Sequence, residues 1–313
     1  MENIIEKKSP NLIQMLRAPF FSSILAPVIA GVVAAVVVNK GEISVEGLIL
    51  VLIMGIGLHA ATNVYNDIYD TIQGTDKVNV HRNEFSGGSG ILVDSPELMP
   101  KMYNIARISL IIALGACTLM FSVIDKEHYW VLASLYLLSA FFAKYYTAAP
   151  VKLAYRGLGE ISVWFAFGPM AILVGALSQN VTFEPLILWI MPLTGLSTLS
   201  ILWLGQMIDL PADEETGKRG LVARLGTKIT RWGYLIIQLI AVINIIAVPL
   251  FVPGIKFSFY GILIPFGFYL YKIIPVVIKN HDNPDGLKPA AKLNVMLHLV
   301  FSLFFILALF FQI

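Results

Sequence analysis

Nine stretches of about 20 mainly apolar residues constrain this chain more than any other feature of its sequence. A helix of that length crosses the hydrocarbon core of a bilayer. Helices are required, because lipid offers backbone groups no hydrogen-bond partners and the sequence lacks the alternation of a β-barrel. The sequence therefore predicts an all-α, polytopic membrane bundle with spans at residues 20–38, 46–66, 104–123, 129–147, 159–177, 184–203, 233–251, 258–278 and 293–312.

The composition supports this prediction and argues against soluble folds. Of 313 residues, 57% are hydrophobic and 13% are charged, whereas a soluble domain carries about 25% charged residues. A soluble protein of this size has too little interior to bury so much apolar surface. Membrane lipids are therefore expected partners and nucleic acid is not. The lone cysteine, Cys117, allows no intramolecular disulfide, and no Cys/His cluster has the spacing of metal ligands.

Basic residues are distributed unevenly between the two predicted sides of the membrane. With a cytosolic N-terminus, the outer loops contain only three of the 22 basic residues, Lys40, Lys126 and Lys256. The positive-inside rule therefore predicts that the N-terminal tail of this multi-pass protein is cytosolic. We expect the protein in the cell (cytoplasmic) membrane, with the tail leading into an interfacial helix near residues 12–20.

Two long connections, 67–103 and 204–232, fall on the same predicted side. Long loops in a compact domain are usually functional or disordered. Both are rich in Asp, Lys, Arg and Gly. We therefore expect cytosolic loops that cap a central cavity, with the chemistry facing the cytosol.

Acidic clusters occur at residues 63–76 and 209–213, at the predicted cytosolic ends of two spans. Asn66 and Asp70 are four residues apart, as are Asp209 and Asp213, so each pair shares a helix face. Stacked carboxylates at the end of a membrane helix repel one another unless a cation compensates. Mg²⁺ suits this role, because it is usually held by one or two carboxylates together with substrate phosphates.

Basic residues accompany both acidic clusters and suggest a diphosphate ligand. Lys152 and Arg156 lie on another predicted cytosolic loop, and Lys218 follows the second cluster within the sequence Gly-Lys-Arg-Gly. Lysine and arginine bind anionic oxygens, and the apolar bundle above them accommodates a hydrocarbon tail. A lipid diphosphate satisfies both requirements.

Simpler interpretations apply to individual residues. A single polar cluster at a helix end is often a solvated cap, and Glu214 and Glu215 are expected to be solvated. His59 and His298 are each isolated in an apolar stretch, which favours a packing role. Residues 87–90, Gly-Gly-Ser-Gly, suit a phosphate-binding nest or, more commonly, a flexible turn. Pro211 favours a helix boundary between Asp209 and Asp213.

These motifs resemble those of the UbiA superfamily of intramembrane prenyltransferases. The resemblance is carried by Asn-Asp-Ile-Tyr-Asp at 66–70 and by the spacing of Asp209 and Asp213, and it extends from Arg17 to the last helices. It indicates one domain over 1–313, whose two acidic motifs suggest related halves. Residues 66–76, 146–160 and 217–226 resemble most the branch that prenylates 1,4-dihydroxy-2-naphthoate in menaquinone synthesis. Gly74, in place of the Asp of the 4-hydroxybenzoate branch, agrees with this.

The resemblance implies Mg²⁺-dependent transfer of a prenyl group from an allylic polyprenyl diphosphate to an aromatic acceptor. It implies metal ligands at Asn66, Asp70, Asp209 and Asp213. It implies diphosphate-binding residues at Asn63, Asp76, Arg82, Lys152, Arg156 and Lys218. It implies catalytic roles for Asp67, Lys152, Tyr155 and Arg156. The oligomeric state is not assigned.

Other functions remain open at this point. Gly205, Gln206 and Ile208 depart from the second motif of the naphthoate branch, and residues 85–90, Phe-Ser-Gly-Gly-Ser-Gly, also differ from that branch. A 4-hydroxybenzoate-like quinone precursor and a glycerol-phosphate ether lipid therefore remain alternative acceptors. Outside enzymes, the alternatives are a membrane transporter and a lipid-binding scaffold. A transporter would carry its acids near mid-span, whereas these acids lie at predicted helix ends.

Overall fold

The structure, a computed structural model, describes residues 10–83 and 86–313. Within these ranges the chain is helical, with an isolated β-bridge between Asn83 and Ser86 and no longer strand. Nine long helices are described there: α1 (Ser22–Val38), α2 (Val45–Gln73), α3 (Met99–Met120), α4 (Tyr129–Tyr145), α5 (Gly159–Leu177), α6 (Pro185–Glu215), α7 (Thr227–Phe251), α8 (Leu263–Lys279) and α9 (Pro284–Phe310).

All nine predicted spans correspond to these helices. Eight of them are long and apolar enough to cross a membrane, by length and composition, when α1 and α8 are counted with the 3-10 turns that precede them, as Ala18–Val38 and Phe257–Lys279. The remaining one, α4, has 17 residues, which is about the shortest helix that spans the hydrocarbon core. The prediction of an all-α, multi-pass membrane bundle is confirmed.

Helices α2 and α6 differ from their predicted spans at one end. They have 29 and 31 residues, about 44 and 46 Å at 1.5 Å per residue, so each extends well beyond a hydrocarbon core of about 30 Å. The connections predicted to begin at residues 67 and 204 are therefore partly helical. Helix α6 continues through Pro211 to Glu215, so the helix boundary expected at Pro211 is wrong.

The predicted interfacial helix is also shorter than expected. It is a single turn, Leu12–Met15, whose N-cap Asn11 exchanges hydrogen bonds with Gln14. The turn ends because Arg17 adopts a left-handed conformation, with φ 52°, which is uncommon for a residue with a Cβ atom. Residues 1–9 of the predicted cytosolic tail lie outside the described residues.

Helix α5 is held close to its neighbours by glycine. A Cβ atom at Gly175 would overlap the carbonyl oxygen of Val28 on α1, and one at Gly195 on α6 would overlap the carbonyl oxygen of Trp164 on α5. Small residues let membrane helices approach closely enough for backbone contact. Between these contacts α5 contains a π-helical turn, Ala166–Met170. The bundle therefore brings α1, α2, α5 and α6 around one interior.

Candidate functional site

The acidic ends of α2 and α6 meet at one cavity. Its wall contains all four predicted metal ligands, Asn66 and Asp70 from α2 and Asp209 and Asp213 from α6. The two pairs are about 140 positions apart in the sequence, and both project from helix ends. Asp70 and Asp213 are each 4% exposed. We refer to this space as the acidic cavity.

Asp70 is the most extensively bonded of these acids. Its Oδ1 accepts a hydrogen bond of 2.8 Å from the Tyr155 hydroxyl. Its Oδ2 accepts from Lys218 Nζ at 3.1 Å and from Asn66 Nδ2 at 3.1 Å. The Tyr155 hydroxyl also lies 2.9 Å from Thr75 Oγ1, and burial raises the pKa of Tyr155 above its usual range. Tyr155 therefore remains a neutral donor that orients Asp70.

Lys218 is the basic side chain closest to both acidic pairs. Its Nζ is 3.1 Å from Asp70 Oδ2 and 3.9 Å from Asp213 Oδ1. It also lies 5.5 Å from the centroid of the Tyr155 ring. Burial alone would lower the pKa of Lys218, but the carboxylates of Asp70 and Asp213 outweigh it and raise that pKa well above its usual value. The ammonium group is therefore charged inside the cavity wall.

The glycine-rich segment 87–90 packs against the end of α2. Asp67 Oδ1 accepts a hydrogen bond from the Ser89 backbone N–H at 3.1 Å and lies 3.5 Å from Arg17 Nη1. Gly88 has φ +71°, and a Cβ atom there would lie 2.6 Å from Asp76 Oδ2, so a larger residue would strain the backbone and displace the Asp76 carboxyl group. Because the Ser89 N–H donates to Asp67, this segment acts as a turn that covers the acids.

Asp76 and Asp209 lie on either side of that segment. Asp76 is 3% exposed, and burial, together with the Asp70 and Asp67 carboxylates, raises its pKa to about 8. Asp209 Oδ1 accepts a hydrogen bond from Asn79 Nδ2 at 2.8 Å. Sequence analysis missed Asn79, which belongs to no spaced motif. It named Ser89 only within the 87–90 segment and did not predict its contact with Asp67.

Asn63 and Arg82, two further predicted site residues, each donate a hydrogen bond to a backbone carbonyl oxygen. Asn63 lines the cavity, but its Nδ2 donates to the Leu16 carbonyl oxygen at 3.2 Å. Arg82 Nε donates to the Gly87 carbonyl oxygen at 2.8 Å, and its Nη2 donates to the Asp76 carbonyl oxygen. Arg82 therefore fastens the turn. Asn63 and Arg82 were predicted to bind the diphosphate, but both side chains already have backbone hydrogen-bond partners that compete with that ligand.

The two basic residues of the 150–157 loop lie farther out. Arg156 is exposed, and its Nη2 donates to the Pro150 carbonyl oxygen at 2.9 Å. Lys152 Nζ lies 5.4 Å from the centroid of the Tyr155 ring. Neither of these residues belongs to the lining of the acidic cavity. Glu214 and Glu215 are exposed, as expected.

An apolar chamber continues from the acidic cavity into the bundle. Its wall is formed by α1, α2, α4 and α5, with Val28, Met54, Leu135 and Val174 among the residues beyond the acidic cavity. Both spaces share the side chains of His59, Thr62, Tyr146, Val163 and Phe167. The two spaces therefore adjoin each other, so a ligand with its charged end among the acids would have its apolar end beside the chamber.

The donor atoms of the acidic cavity suit a divalent cation. Three buried carboxylate oxygens in or beside it have no hydrogen-bond partner, namely Asp67 Oδ2, Asp76 Oδ2 and Asp213 Oδ1. Such atoms are costly to bury unless a cation or donor compensates them. Within residues 10–83 and 86–313, no three acidic, histidine or cysteine side chains converge closely enough to hold a metal by themselves. This arrangement suits Mg²⁺, which completes its coordination with water and phosphate oxygens.

Comparison with known proteins identifies a common family. The model of the UbiA prenyltransferase family matches residues 24–296. The chain is 26% identical over 214 residues to the 2-carboxy-1,4-naphthoquinone phytyltransferase of Synechocystis, covering 68% of this chain and 66% of that protein. It is 28% identical over 211 residues to the 1,4-dihydroxy-2-naphthoate octaprenyltransferase of Mycobacterium tuberculosis, covering 67% and 68%. The matches thus span about two thirds of these relatives.

Solved structures share the fold. A UbiA homologue from Archaeoglobus fulgidus bound to GPP and Mg²⁺ superposes with a TM-score of 0.59 at 14% identity, covering 94% of this chain and 98% of that one. A digeranylgeranylglyceryl phosphate synthase superposes with a TM-score of 0.60 at 17% identity, covering 95% and 97%.

Proposed function

Because the chain belongs to the UbiA prenyltransferase family, we propose that it transfers a prenyl group from an allylic polyprenyl diphosphate to an aromatic acceptor. The observation that carries this proposal is that the two cavities adjoin each other. Asp70 and Asp213 line a space that shares part of its lining, including Phe167, with an apolar chamber. A prenyl diphosphate has the same division between a charged and an apolar half.

We assign Asn66, Asp70, Asp209 and Asp213 as the side chains that hold Mg²⁺ in this chain. The unpartnered Oδ1 of Asp213 and the shared position of both pairs in one cavity support this assignment. When bound there with the diphosphate, Mg²⁺ supplies positive charge that stabilises the leaving group. Asp67 and Asp76 lie beside these residues and are assigned a supporting role.

The chain's own cations complete the diphosphate site. Lys218 is placed to exchange its contact with Asp70 for a contact with a phosphate oxygen, because its Nζ already lies at the cavity wall. Stabilising the charge that develops on the leaving group is usually the largest catalytic contribution of such a site. Tyr155 donates to Asp70 and holds that carboxylate in place. Lys152 and Arg156 are assigned a peripheral electrostatic role, as their positions outside the cavity suggest.

The apolar chamber accommodates the prenyl tail and protects the reaction. Cleavage of the allylic carbon–oxygen bond leaves a carbocation that water would quench. The chamber wall excludes water, and the aromatic rings of Tyr146 and Phe167 lie where the two spaces join. Aromatic faces stabilise a nearby cation.

For the acceptor, we propose 1,4-dihydroxy-2-naphthoate and hence a step of menaquinone synthesis. The printed names of the Synechocystis and Mycobacterium tuberculosis relatives support a naphthoate or naphthoquinone acceptor. We place the reaction at the cytosolic side of the cell membrane, because the basic residues of the sequence concentrate on the side that carries both acidic motifs.

The direct test is a prenyl-transfer assay with the purified chain in nanodiscs. Geranyl and longer polyprenyl diphosphates are offered with 1,4-dihydroxy-2-naphthoate, 4-hydroxybenzoate or a glycerol-phosphate lipid, with and without Mg²⁺, and product masses are measured. We expect Mg²⁺-dependent prenylation of the naphthoate. Exclusive prenylation of another acceptor would reject the acceptor assignment, and no product with any acceptor would reject the proposed function.

A further inference from the structure

His59 is a buried polar side chain whose two ring nitrogens have no hydrogen-bond partner. It lies in the middle of α2 and is 6% exposed, and neither Nδ1 nor Nε2 finds a donor or acceptor. The other buried histidine on the bundle interior, His298, places its Nδ1 2.9 Å from Ser197 Oγ. Leaving a polar group unpartnered in an apolar interior costs free energy. An unpartnered imidazole at a cavity wall therefore points to a ligand.

The position of His59 identifies which part of a ligand it would meet. It is one of the side chains that line both the acidic cavity and the apolar chamber. In a prenyl diphosphate bound across the two spaces, this junction corresponds to the allylic carbon that joins the diphosphate to the tail. The acceptor must approach the same carbon. His59 therefore lies where the acceptor is held during the reaction.

The surroundings of His59 favour a flat aromatic ligand. Its ring makes edge-to-face contacts with Phe21 and Phe167, at centroid distances of 5.7 and 5.3 Å. Aromatic rings pack favourably in such offset and edge-to-face arrangements. Arg17 lines the acidic cavity at the same end and can face an acidic substituent on the ligand. The imidazole is thus a hydrogen-bonding group within an aromatic wall.

We propose that His59 binds the hydroxyl group of an aromatic acceptor and positions the acceptor ring against the allylic carbon. The neutral imidazole accepts a hydrogen bond from the hydroxyl through one ring nitrogen. This inference rests on the proposed prenyl transfer and specifies the acceptor as a hydroxylated aromatic compound. A glycerol-phosphate lipid also carries a hydroxyl group, but it has no aromatic ring to pack against Phe21, His59 and Phe167.

The test compares acceptor binding with and without the hydroxyl donor. The purified full chain in nanodiscs is titrated with 1,4-dihydroxy-2-naphthoate and with each of its two monomethyl ethers, in wild type, His59→Phe, His59→Gln and His298→Phe. We expect wild type to bind the dihydroxy compound about tenfold more tightly than one of the ethers, as expected for a hydrogen bond in a dry site. His59→Phe removes this difference, His59→Gln restores part of it, and the matched buried control His298→Phe retains it.

The outcomes separate this inference from the proposed function. If wild type forms prenylated product but His59→Phe keeps the tenfold preference, the role of His59 is rejected and prenyl transfer stands. If His59→Phe unfolds, as judged by thermal unfolding, the partial preference of His59→Gln decides, and an unchanged preference in that variant rejects the role. If wild type forms no product with any acceptor, the proposed function fails and this inference fails with it.

Discussion

The acidic cavity and the apolar chamber adjoin each other and, apart from His59 at their junction, satisfy their polar groups in opposite ways. In the acidic cavity, buried oxygens of Asp76 and Asp213 have no hydrogen-bond partner. In the chamber, the Thr62 and Ser162 hydroxyls donate to carbonyl oxygens of their own helices, at 2.8 and 2.6 Å. Apart from the His59 imidazole, the chamber thus presents hydrocarbon to its contents, while the cavity retains unpartnered carboxyl oxygens. The acidic cavity therefore suits a ligand that binds together with cations, and the apolar chamber suits an uncharged hydrocarbon tail.

The largest expected effect comes from removing a charge on the cavity side. We expect Asp70→Asn to lower turnover by at least about 100-fold, because a carboxylate that orients both the metal and Lys218 contributes to stabilising the leaving group. The substitution preserves side-chain volume but removes the closest counter-charge of the buried Lys218, so some loss of thermal stability is expected as well. Turnover and the unfolding midpoint are measured together.

Glu214→Gln is the control for this variant, because Glu214 is exposed at the end of α6. It removes one negative charge close to the site without altering the cavity wall. Activity of Asp70→Asn equal to wild type at saturating Mg²⁺ would contradict the assignment of Asp70 as a metal ligand.

A smaller effect on activity is expected from replacing Lys218, the basic side chain in the wall of the acidic cavity. Lys218→Met should raise the apparent KM for the diphosphate about tenfold, since a charge-assisted contact to phosphate is lost, with a weaker effect on the KM for the acceptor. Lys218→Arg should lose less. The matched control is Lys228→Met, at an exposed position of α7. Equal changes in both KM values would show that Lys218 acts on the fold of the cavity and does not bind diphosphate.

How much of the acidic cavity could be predicted depends on whether each interaction joins residues that are close together or far apart in the sequence. The helices were predictable because their apolar runs are local, and Asn66 and Asp70 were paired because helical spacing places them on one face. That pairing is present, with Asn66 Nδ2 3.1 Å from Asp70 Oδ2. The contact between Asn79 and Asp209 depends on a turn that crosses between α2 and α6, and no local pattern encodes it.

The wrong expectation at Pro211 and the surroundings of His59 that the sequence could not show have the same origin. Pro211 was expected to end a helix, yet α6 continues because its last turns pack within the bundle, and Ala212 and Asp213 are buried there. Tertiary burial outweighs the local cost of proline. His59 was expected to be a packing residue, and its ring does pack against Phe21 and Phe167. Its unpartnered nitrogens and its place between two cavities become visible only when α1, α2 and α5 are assembled.

A still smaller and more selective effect is expected inside the chamber. Val174 lines it beyond the shared residues, 11 positions along α5 from Val163, or about 16 Å. Val174→Phe adds bulk where a long tail ends, so longer polyprenyl diphosphates should lose several-fold in kcat/KM relative to geranyl diphosphate. Added volume in a packed interior also costs roughly 1–3 kcal/mol of stability. Kinetics with donors of increasing length provide the measurement.

Val45→Phe is the matched control for the chamber, because Val45 is 59% exposed at the start of α2. The same substitution there should leave the dependence on tail length unchanged. If Val174→Phe lowers activity equally with short and long donors, the chamber does not hold the distal part of the tail.

The smallest effect is expected from Arg156→Ala, which removes a positive charge near the acidic cavity but not inside it. Arg156 was expected from sequence to be catalytic, but it is exposed and its guanidinium donates to the Pro150 carbonyl oxygen at 2.9 Å. Solvent and salt screen an exposed charge strongly. Arg156→Ala should therefore change kcat/KM by about twofold or less, and added salt should reduce even that difference. A loss comparable to that of Lys218→Met would mean that the 150–157 loop closes over the diphosphate and brings Arg156 to it. Arg156 would then belong to the acidic cavity and not to its surroundings.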